Sequence, residues 1–180
     1  MTEHIVGFGS DPEAFIKVFQ ASFADSEGED EGRVIETLCR DLLDTTPSDD
    51  IFTFTALEDE AIVGGIMFTR ITYFEDDKTI FLLFPVAIRT DRQGRGIGEA
   101  LLRFGLEYLT AQGIDVALTY GNPAYYAKVG FRQISPEIAQ PPFKLSQPHG
   151  WLGQSLTDEP LSALRGPSKC VPAFDDPAHW

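Results

Sequence analysis

The spacing of apolar side chains near the start of this chain changes from the period of a strand to that of a helix. Residues 4–8 predict a short first strand, and apolar positions within 15–23 and 34–43 recur at helical spacing, which predicts two helices. Residues 10–13 have the pattern of a capping box with proline in the first turn, so the first helix is predicted to begin there. The strongly acidic stretch at 25–31 is predicted to be a solvated loop between the two helices.

Downstream of the two helices the apolar pattern takes the period of β-strands. The segments 51–56, 62–73 and 79–88 are apolar or alternating and are separated by acidic turns, so they predict an antiparallel meander. The pair Gly64–Gly65 within the second strand indicates a bulge or a close contact. Pro85 within the third strand cannot donate a ladder hydrogen bond, which predicts an edge or a bulge at that position.

A helix and another strand follow this meander. Residues 99–111 have an amphipathic helical pattern, and Gly113 is predicted to end the helix. The strand predicted at 114–119 should run parallel to the strand at 79–88, because a crossover helix joins parallel strands. The segment after Pro136 is rich in proline and glycine and is predicted to wrap over the molecule, with a final strand near Val171.

The composition limits the classes of function. A net charge of −14 argues against nucleic acid as a partner and fits a cationic or amine-bearing acceptor, as well as plain solubility. The two cysteines give no disulfide framework and are expected to be buried. The three histidines lack metal-ligand spacing, so no metal is expected. No signal peptide and no membrane-spanning segment are visible, so we expect a cytoplasmic protein with no membrane partner.

The run Gln93-Gly94-Arg95-Gly96-Ile97-Gly98 lies between the third apolar strand and the following helix. Open backbone N–H groups at a helix start favour an anionic group, so this run predicts a seat for a phosphate-bearing cofactor. Glu99 stands where a dinucleotide fingerprint needs its last glycine, and no Lys-Ser/Thr pair follows to complete a P-loop. A plain glycine-rich turn is the alternative.

Four arginines, Arg89, Arg92, Arg95 and Arg103, gather around this glycine run in an otherwise acidic chain. Guanidinium groups bind phosphates well, so the gathering suggests that some of them contact a cofactor. Arg95, inside the run, is the best candidate for a pyrophosphate. Arg89 and Arg92 are candidates for a ribose phosphate.

Two motifs in order resemble the GNAT acetyltransferase superfamily. Residues 93–98 have the form Gln-x-x-Gly-x-Gly, which resembles the pyrophosphate-binding motif of that superfamily. Residues 121–131, Gly-Asn-Pro-Ala-Tyr-Tyr-Ala-Lys-Val-Gly-Phe, resemble its second segment, in the form of a subgroup of predicted small-substrate acetyltransferases. The resemblance is clear over residues 51–134, and residues 170–174 resemble the last strand of the subgroup.

The resemblance implies an α/β (α+β) fold with a mixed, mostly antiparallel central sheet of about six or seven strands flanked by about four helices. It also implies that a parallel strand pair splays apart at the cofactor site. The whole chain, residues 1–180, is expected to form one acetyltransferase-like domain, with residues 135–180 as a wrapped tail.

The resemblance further implies acetyl-CoA as cosubstrate and Tyr126 as the general acid. A packed aromatic with a satisfied hydroxyl is the alternative for Tyr126, and a helix cap is the alternative for Asn122. The residues expected to bind the cofactor are Val86, Ala87, Ile88, Gln93, Gly94, Arg95, Gly96, Ile97, Gly98, Glu99, Asn122 and Tyr126.

The expected reaction is direct acetyl transfer to a primary amine of a small molecule or a peptide N-terminus, because neither motif contains a cysteine that would carry an acetyl intermediate. The general base stays open between Glu75, His149, the acidic residues 25–31 and a water chain. The acceptor, the acyl chain length and the oligomeric state also stay open. An acyl-CoA-binding module without turnover and a transferase of a longer acyl group are the alternatives, and the aromatic tail offers a surface for a homodimer.

Overall fold

The computed structural model describes all 180 residues, Met1–Trp180, as nine strands, four α-helices and several short 3-10 turns. The strands are β1 (Glu3–Val6), β2 (Ile51–Glu58), β3 (Ala61–Arg70), β4 (Thr72–Tyr73), β5 (Ile80–Ile88), β6 (Val116–Tyr120), β7 (Arg132–Gln133), β8 (Trp151–Ser155) and β9 (Ser168–Lys169). The helices are α1 (Pro12–Glu27), α2 (Glu29–Thr45), α3 (Ile97–Ala111) and α4 (Pro123–Ala127).

Seven of the strands form one mixed sheet in the order β1-β2-β3-β5-β6-β8-β7. Its pairs are mostly antiparallel, but β5 and β6 are parallel, with Ile80 opposite Val116 and Leu83 opposite Thr119. Helix α3 is the crossover between these two strands, as the sequence predicted. The predicted mixed fold is therefore confirmed, and a separate two-stranded sheet joins β4 to β9.

The chain packs as two compact units, residues 1–68 with 85–105 and residues 69–84 with 106–180. In the first unit, α1 packs along α2, and Phe15 and Phe19 are fully buried. A β-carbon on Gly65 would lie 2.6 Å from the Phe15 ring and 2.9 Å from the Phe19 ring. The glycine pair predicted to mark a bulge or a close contact is therefore a close contact between β3 and α1.

In the second unit an aromatic cluster supports the end of β6. The Tyr120 ring is stacked on Trp180 with centroids 6.3 Å apart, and it meets Trp151 edge-on at 6.4 Å. The Trp180 indole N–H donates to the carbonyl of Phe174 at 3.0 Å. Because Trp151 and Trp180 are almost fully buried, this cluster fixes the position of the last residue of β6.

The acidic stretch predicted to be a loop is helical. Helix α1 continues to Glu27 and α2 begins at Glu29, so only Gly28, with φ +102°, separates the two helices. Acidic residues 29–31 occupy the first turn of α2, where the helix dipole favours negative charge. The cap of α1 also differs from the prediction, since Asp11 rather than Ser10 accepts the hydrogen bond from Ala14 N–H at 3.1 Å.

The downstream strands differ from the prediction in two respects. The strand predicted at 62–73 breaks at Ile71, and its last residues form β4, which pairs with β9. The predicted wrapped tail contributes a full strand, β8, which pairs antiparallel with β6. The final strand predicted near Val171 is β9 at Ser168–Lys169, which ends before the chain turns into a 3-10 helix at Pro172–Phe174.

Pro85 does not mark an edge of the sheet, because β5 lies between β3 and β6 in the strand order. The register with β6 runs from Ile80 to Leu83, and Pro85 lies outside it. Proline is compatible with this position because the register with β6 requires no N–H donor there.

The Asp76 carboxylate fastens the segment around Arg165 in the second unit. Its two oxygens accept hydrogen bonds from the backbone N–H groups of Lys78 and Arg165, both at 3.0 Å, and its side chain is only 2% exposed. Burial opposes the charge, but these N–H groups and the two nearby cations outweigh it, so the pKa of Asp76 lies below its ordinary value. This carboxylate is thus a stabilising contact whose strength depends on pH.

We expect Asp76→Ala to lower the free energy of unfolding at pH 7 by about 1–3 kcal/mol, because two N–H groups lose their acceptor. The folded-state pKa is depressed, so the contribution is complete above the unfolded-state pKa and disappears as the pH falls through the folded-state pKa. Urea denaturation at pH 7 and at about pH 3 measures both effects. The exposed neighbour Asp77→Ala is the control, and an equal loss at both pH values would contradict the assignment.

Candidate functional site

The glycine loop follows a 3-10 turn at Thr90–Arg92 and leads directly into α3. Gly94 and Gly96 have φ of +75° and +79°, which favour glycine at both positions. The backbone N–H groups of residues 94–98 donate to no backbone acceptor. The loop therefore presents a row of open donors at a helix N-terminus, which is the geometry that binds an anionic group.

Gln93 braces this loop. Its Nε2 donates to the carbonyl of Ile88 at 3.0 Å, which ties the loop back to the end of β5. Ser22 Oγ on α1 donates to the same carbonyl at 3.2 Å. The Ile88 carbonyl is therefore occupied, and this residue has only its N–H to offer a ligand.

The three arginines other than Arg95 are engaged by carboxylates. Arg89 pairs with Asp91 at 2.7 Å, and Arg92 pairs with Glu58 at 2.7 Å and with Asp91 at 2.9 Å. Arg103, the third of these arginines, lies on α3 and pairs with the Glu99 carboxylate one turn earlier at 2.8 Å.

Arg95 is different from its three neighbours. It is exposed at the tip of the loop and makes no hydrogen bond or ion pair. Of the predicted phosphate-binding arginines, it is the one whose charge is not already balanced by an acid within the protein.

The other predicted cofactor residues of this unit lie along the end of β5 and the start of α3. Ala87, Ile88, Ile97 and Gly98 are buried, whereas Val86 is half-buried. A β-carbon on Gly64 would approach the Ile88 side chain to 2.5 Å, so β3 keeps a glycine where the end of β5 packs against it. The side chains of these residues pack wholly or partly in the core, so a ligand would contact mainly their backbone groups.

In the second unit, Asn122 caps α4. Its Oδ1 accepts a hydrogen bond from Ala124 N–H at 3.0 Å, and Pro123 occupies the first turn. The cap predicted as one of two roles for Asn122 is confirmed. This cap directs the short helix that carries Tyr126.

Tyr126 is buried, with 8% of its surface exposed. Burial and, to a smaller extent, the neighbouring Tyr125 raise the pKa of Tyr126 well above its ordinary value, while a hydrogen bond with Thr119 acts in the opposite direction. Its ring meets Phe131 edge-on at 5.8 Å. The phenol is therefore fully protonated at neutral pH and held in a fixed position.

Gly121 lies directly against the Tyr126 ring. A β-carbon at this position would lie 2.7 Å from Tyr126 Cε2, which is too close for any real side chain. The residue before it, Tyr120, ends β6 and lines a pocket of about 410 Å³. The pocket is lined by Tyr120, Gly121, Asn122, Pro123, Ser146, Gln147, His149 and Gly150.

The residues predicted as candidate general bases differ in whether they lie beside the second motif. Glu75 is exposed and its backbone is hydrogen-bonded to Arg165, at the segment that Asp76 fastens. The acidic residues 25–31 lie in the helices α1 and α2. Only His149 lines a pocket that also contains residues of the second motif.

Sequence reasoning missed Thr119, Tyr120, Ser146 and Gln147 as parts of this site. Tyr120 OH lies 3.1 Å from Ser146 Oγ and accepts a hydrogen bond from Gln147 N–H at 2.6 Å. These contacts depend on the pairing of β6 with β8, which the sequence did not predict. No local pattern in the chain signals them.

A larger cavity, of about 620 Å³, lies in the first unit between α1 and the turn from β2 to β3. Its wall is mostly apolar, with Lys17 and Arg89 as cations and Asp11 and Glu60 as carboxylates. Of the residues predicted to contact the cofactor, only Arg89, a candidate for a ribose phosphate, lines it.

Both cysteines are buried, as expected from the sequence. Burial raises the pKa of the Cys170 thiol to about 11, so this thiol is protonated at neutral pH and is a poor nucleophile. The structure contains no group of three or more His, Cys, Asp or Glu side chains arranged to hold a metal ion. None of its helices is long and apolar enough to cross a membrane.

The mixed sheet with one parallel pair and the open glycine loop at the start of the crossover helix define an α/β protein with unpaired backbone donors at a helix N-terminus, a geometry suited to an anionic ligand. Comparison with known families is more specific. The sequence model of the acetyltransferase (GNAT) family matches residues 13–131, and the chain belongs to this family.

Two relatives illustrate the relationship. The chain is 33% identical over 114 residues to the uncharacterized N-acetyltransferase YjhQ of Escherichia coli K12, a match that covers 61% of this chain and 62% of YjhQ. It is 32% identical over 96 residues to the mycothiol acetyltransferase of Rhodococcus opacus, covering 49% of this chain and 32% of that protein. The chain thus spans less than two thirds of the length of these relatives.

Solved structures show the same fold over nearly the whole chain. The GNAT family N-acetyltransferase YhbS from Escherichia coli, solved in complex with CoA, superposes with a TM-score of 0.75 at 20% identity, covering 97% of this chain and 92% of that one. A GNAT family acetyltransferase from Brucella melitensis, in complex with acetyl-CoA, gives a TM-score of 0.70 at 24% identity, covering 97% and 99%.

Proposed function

We propose that this protein is an acetyl-CoA-dependent N-acetyltransferase that moves the acetyl group directly to a primary amine of a small molecule or peptide N-terminus. The observation that carries the proposal is the open glycine loop with its unpaired Arg95, in a chain that belongs to the acetyltransferase (GNAT) family. The acetyl-CoA and CoA complexes of two proteins with this fold support the choice of cosubstrate.

The cofactor pyrophosphate binds to the N–H groups of residues 94–98 and to the Arg95 guanidinium. Charge-assisted hydrogen bonds of this kind are about twice as strong as neutral ones. The pantetheine arm runs along the backbone of Val86, Ala87 and Ile88, since the side chains of Ala87 and Ile88 are buried in the core. One N–H group of this stretch donates to the thioester carbonyl, and a donor of this type contributes about 2.7–4 kcal/mol to transition-state stabilisation.

Tyr126 supplies the proton that the leaving thiolate needs. The Thr119 hydroxyl donates to the carbonyl of Leu83 at 2.8 Å, and, against the larger effect of burial, its hydrogen bond with Tyr126 lowers the pKa of the phenol. When Tyr126 gives its proton to sulfur, rotation of the Thr119 hydroxyl turns it into a donor to the phenolate. Thr119 is therefore a positioning residue that lowers the cost of forming a buried phenolate.

The acceptor attacks the thioester without a covalent acetyl-enzyme. Both cysteines are buried, and the pKa values of both thiols are raised by burial, which supports direct transfer. A small acceptor is consistent with the name of one relative, mycothiol acetyltransferase.

Calorimetric titration with acetyl-CoA, with NADH as a control ligand, tests the first half of this proposal. We expect micromolar binding of acetyl-CoA and none of NADH. A panel of primary amines (alkylamines, arylamines, amino sugars and dipeptides) tests the second half by release of free thiol and by the mass of the product. Absence of acetyl-CoA binding at millimolar concentration would refute the proposal, and binding without turnover of any amine would leave a CoA-binding module instead.

Arg95→Gln is expected to raise the dissociation constant of acetyl-CoA by about 10- to 100-fold, because a hydrogen-bonded charge contributes about 1.5–3 kcal/mol. Binding of S-acetylpantetheine, which lacks the pyrophosphate, should not change. Titration of both ligands into both proteins measures the difference. Arg33→Gln on α2 is the charge-matched control, and equal weakening of both ligands would contradict a pyrophosphate contact.

A further inference from the structure

The turn that carries His149 is tied to the end of β6 at two points. On one side, Gln147 N–H donates to Tyr120 OH at 2.6 Å, and the same hydroxyl lies 3.1 Å from Ser146 Oγ. On the other side, Gly121 N–H donates to the carbonyl of Gly150 at 2.9 Å. His149 lies between these two anchors, so the backbone beneath its side chain is fixed relative to residues 120 and 121.

Gly121 also helps to position Tyr126, the proposed acid. Gly121 contacts the edge of the Tyr126 ring, and a β-carbon on Gly121 would lie 2.7 Å from it. A β-carbon on Gly150 would likewise lie 2.9 Å from the Gly121 carbonyl oxygen, so the His149 turn sits as close to this segment as a backbone can. Tyr126 and His149 are thus held by one short stretch at the carboxyl end of β6, where α/β sheets bind their ligands.

The pocket beside this stretch is small and has no carboxylate. Its volume is about 410 Å³, which suits a small molecule. Its titratable side chains are His149 and Tyr120, and its other polar groups are the Asn122 and Gln147 amides and the Ser146 hydroxyl. A histidine is the side chain whose ordinary pKa suits proton removal at neutral pH.

We propose that this pocket receives the amine acceptor and that His149 is the general base that takes the proton from its ammonium group. The proposal rests on the proposed acetyltransferase function and deepens it in two respects. It assigns the base that the sequence leaves open, and it restricts the acceptor to a small primary amine that is protonated in solution.

The proton balance requires such a base. A bound ammonium group transfers one proton to His149, and the nitrogen lone pair then attacks the thioester carbonyl carbon. As the tetrahedral intermediate collapses, the C–S bond breaks and the thiolate takes the Tyr126 proton. The nitrogen then gives its second proton to the Tyr126 phenolate, which restores the phenol, while His149 releases the first proton to water. The products are an amide, free CoA thiol and one proton.

The test compares wild type with His149→Ala and His149→Gln, using the most active alkylamine of the panel described above. At pH 7 we expect both variants to lose about 100-fold in kcat/KM, since a general base contributes at least that much. At about pH 10, about a quarter of an alkylamine with a pKa of about 10.4 is already neutral before it binds, several hundred-fold more than at pH 7, so the deficit should shrink strongly. A loss that stays constant across this pH range would mean a structural role and would overturn the proposal.

Two controls keep this test separate from the test of the function itself. Calorimetric binding of acetyl-CoA must be the same in wild type and both variants, because His149 is not assigned to the cofactor. Lys144→Gln, an exposed residue of the same loop that does not line the pocket, should leave turnover unchanged. If wild type binds acetyl-CoA but turns over no amine, the transferase function fails and the assignment of His149 fails with it.

Discussion

Tyr126→Phe is expected to lower kcat about 1000-fold while leaving the dissociation constant of acetyl-CoA unchanged, since general acid catalysis contributes about 10²- to 10⁴-fold. The substitution removes one hydroxyl and keeps the ring that packs against Gly121 and Phe131. The thiolate then leaves without a proton. Steady-state kinetics together with calorimetric titration of acetyl-CoA measure the two effects separately.

The reason for so large a loss is the environment of the phenol. Burial raises the pKa of Tyr126, so its proton is present in every molecule at neutral pH. Water cannot easily replace it, because the side chain is almost fully covered.

Tyr125→Phe is the matched control for this result. It removes a phenol from the adjacent residue of the same helix, whose ring lies 5.1 Å from that of Tyr126. Turnover should change little in this variant. If both variants retain wild-type kcat, Tyr126 is a packing residue and the acid lies elsewhere.

Gly121→Ala should lower kcat by about 10- to 100-fold, although the residue carries no chemistry. The new β-carbon would lie 2.7 Å from Tyr126 Cε2, so the ring must move. Displacement of a catalytic group by about 1 Å can cost about 100-fold in rate. The backbone of Gly121 lies outside the left-handed region, so alanine adds no strain of its own.

A double-mutant cycle separates this effect from general damage. In the Tyr126→Phe background the ring still clashes, so Gly121→Ala should lower the free energy of unfolding as it does in wild type. It should not lower kcat further, because the hydroxyl whose position mattered is already gone. Additive losses in kcat would show that Gly121 acts on turnover through something other than Tyr126.

Local patterns were sufficient for the elements that carry the glycine loop. The apolar run at 79–88, the glycines and the amphipathic stretch at 99–111 each have one dominant period, and the structure confirms β5, α3 and the parallel strand β6. The cap role of Asn122 could also be predicted, because capping is a contact between neighbours along the chain.

Long-range pairing could not be predicted in the same way. Strand β8 contains Gly153 and few alternating positions, yet it fits beside β6, where a β-carbon at Gly153 would approach Leu118 to 2.9 Å. The acidic residues 25–31 lie in helices, although clustered charge is typical of a solvated loop. Glu29, Asp30 and Glu31 lie in the first turn of α2, where the helix dipole favours negative charge.

The segment between β7 and β8 enters and leaves the sheet through main-chain hydrogen bonds, from Ile134 N–H to the Trp151 carbonyl and from Gly121 N–H to the Gly150 carbonyl. Backbone groups are the same for almost every amino acid, so these two hydrogen bonds do not depend on which side chains lie between them. Under the proposed function, mutations inside the segment at positions other than His149 can retune acceptor choice without disturbing Tyr126. Substrate range and acetyl chemistry can therefore evolve at different rates within one gene.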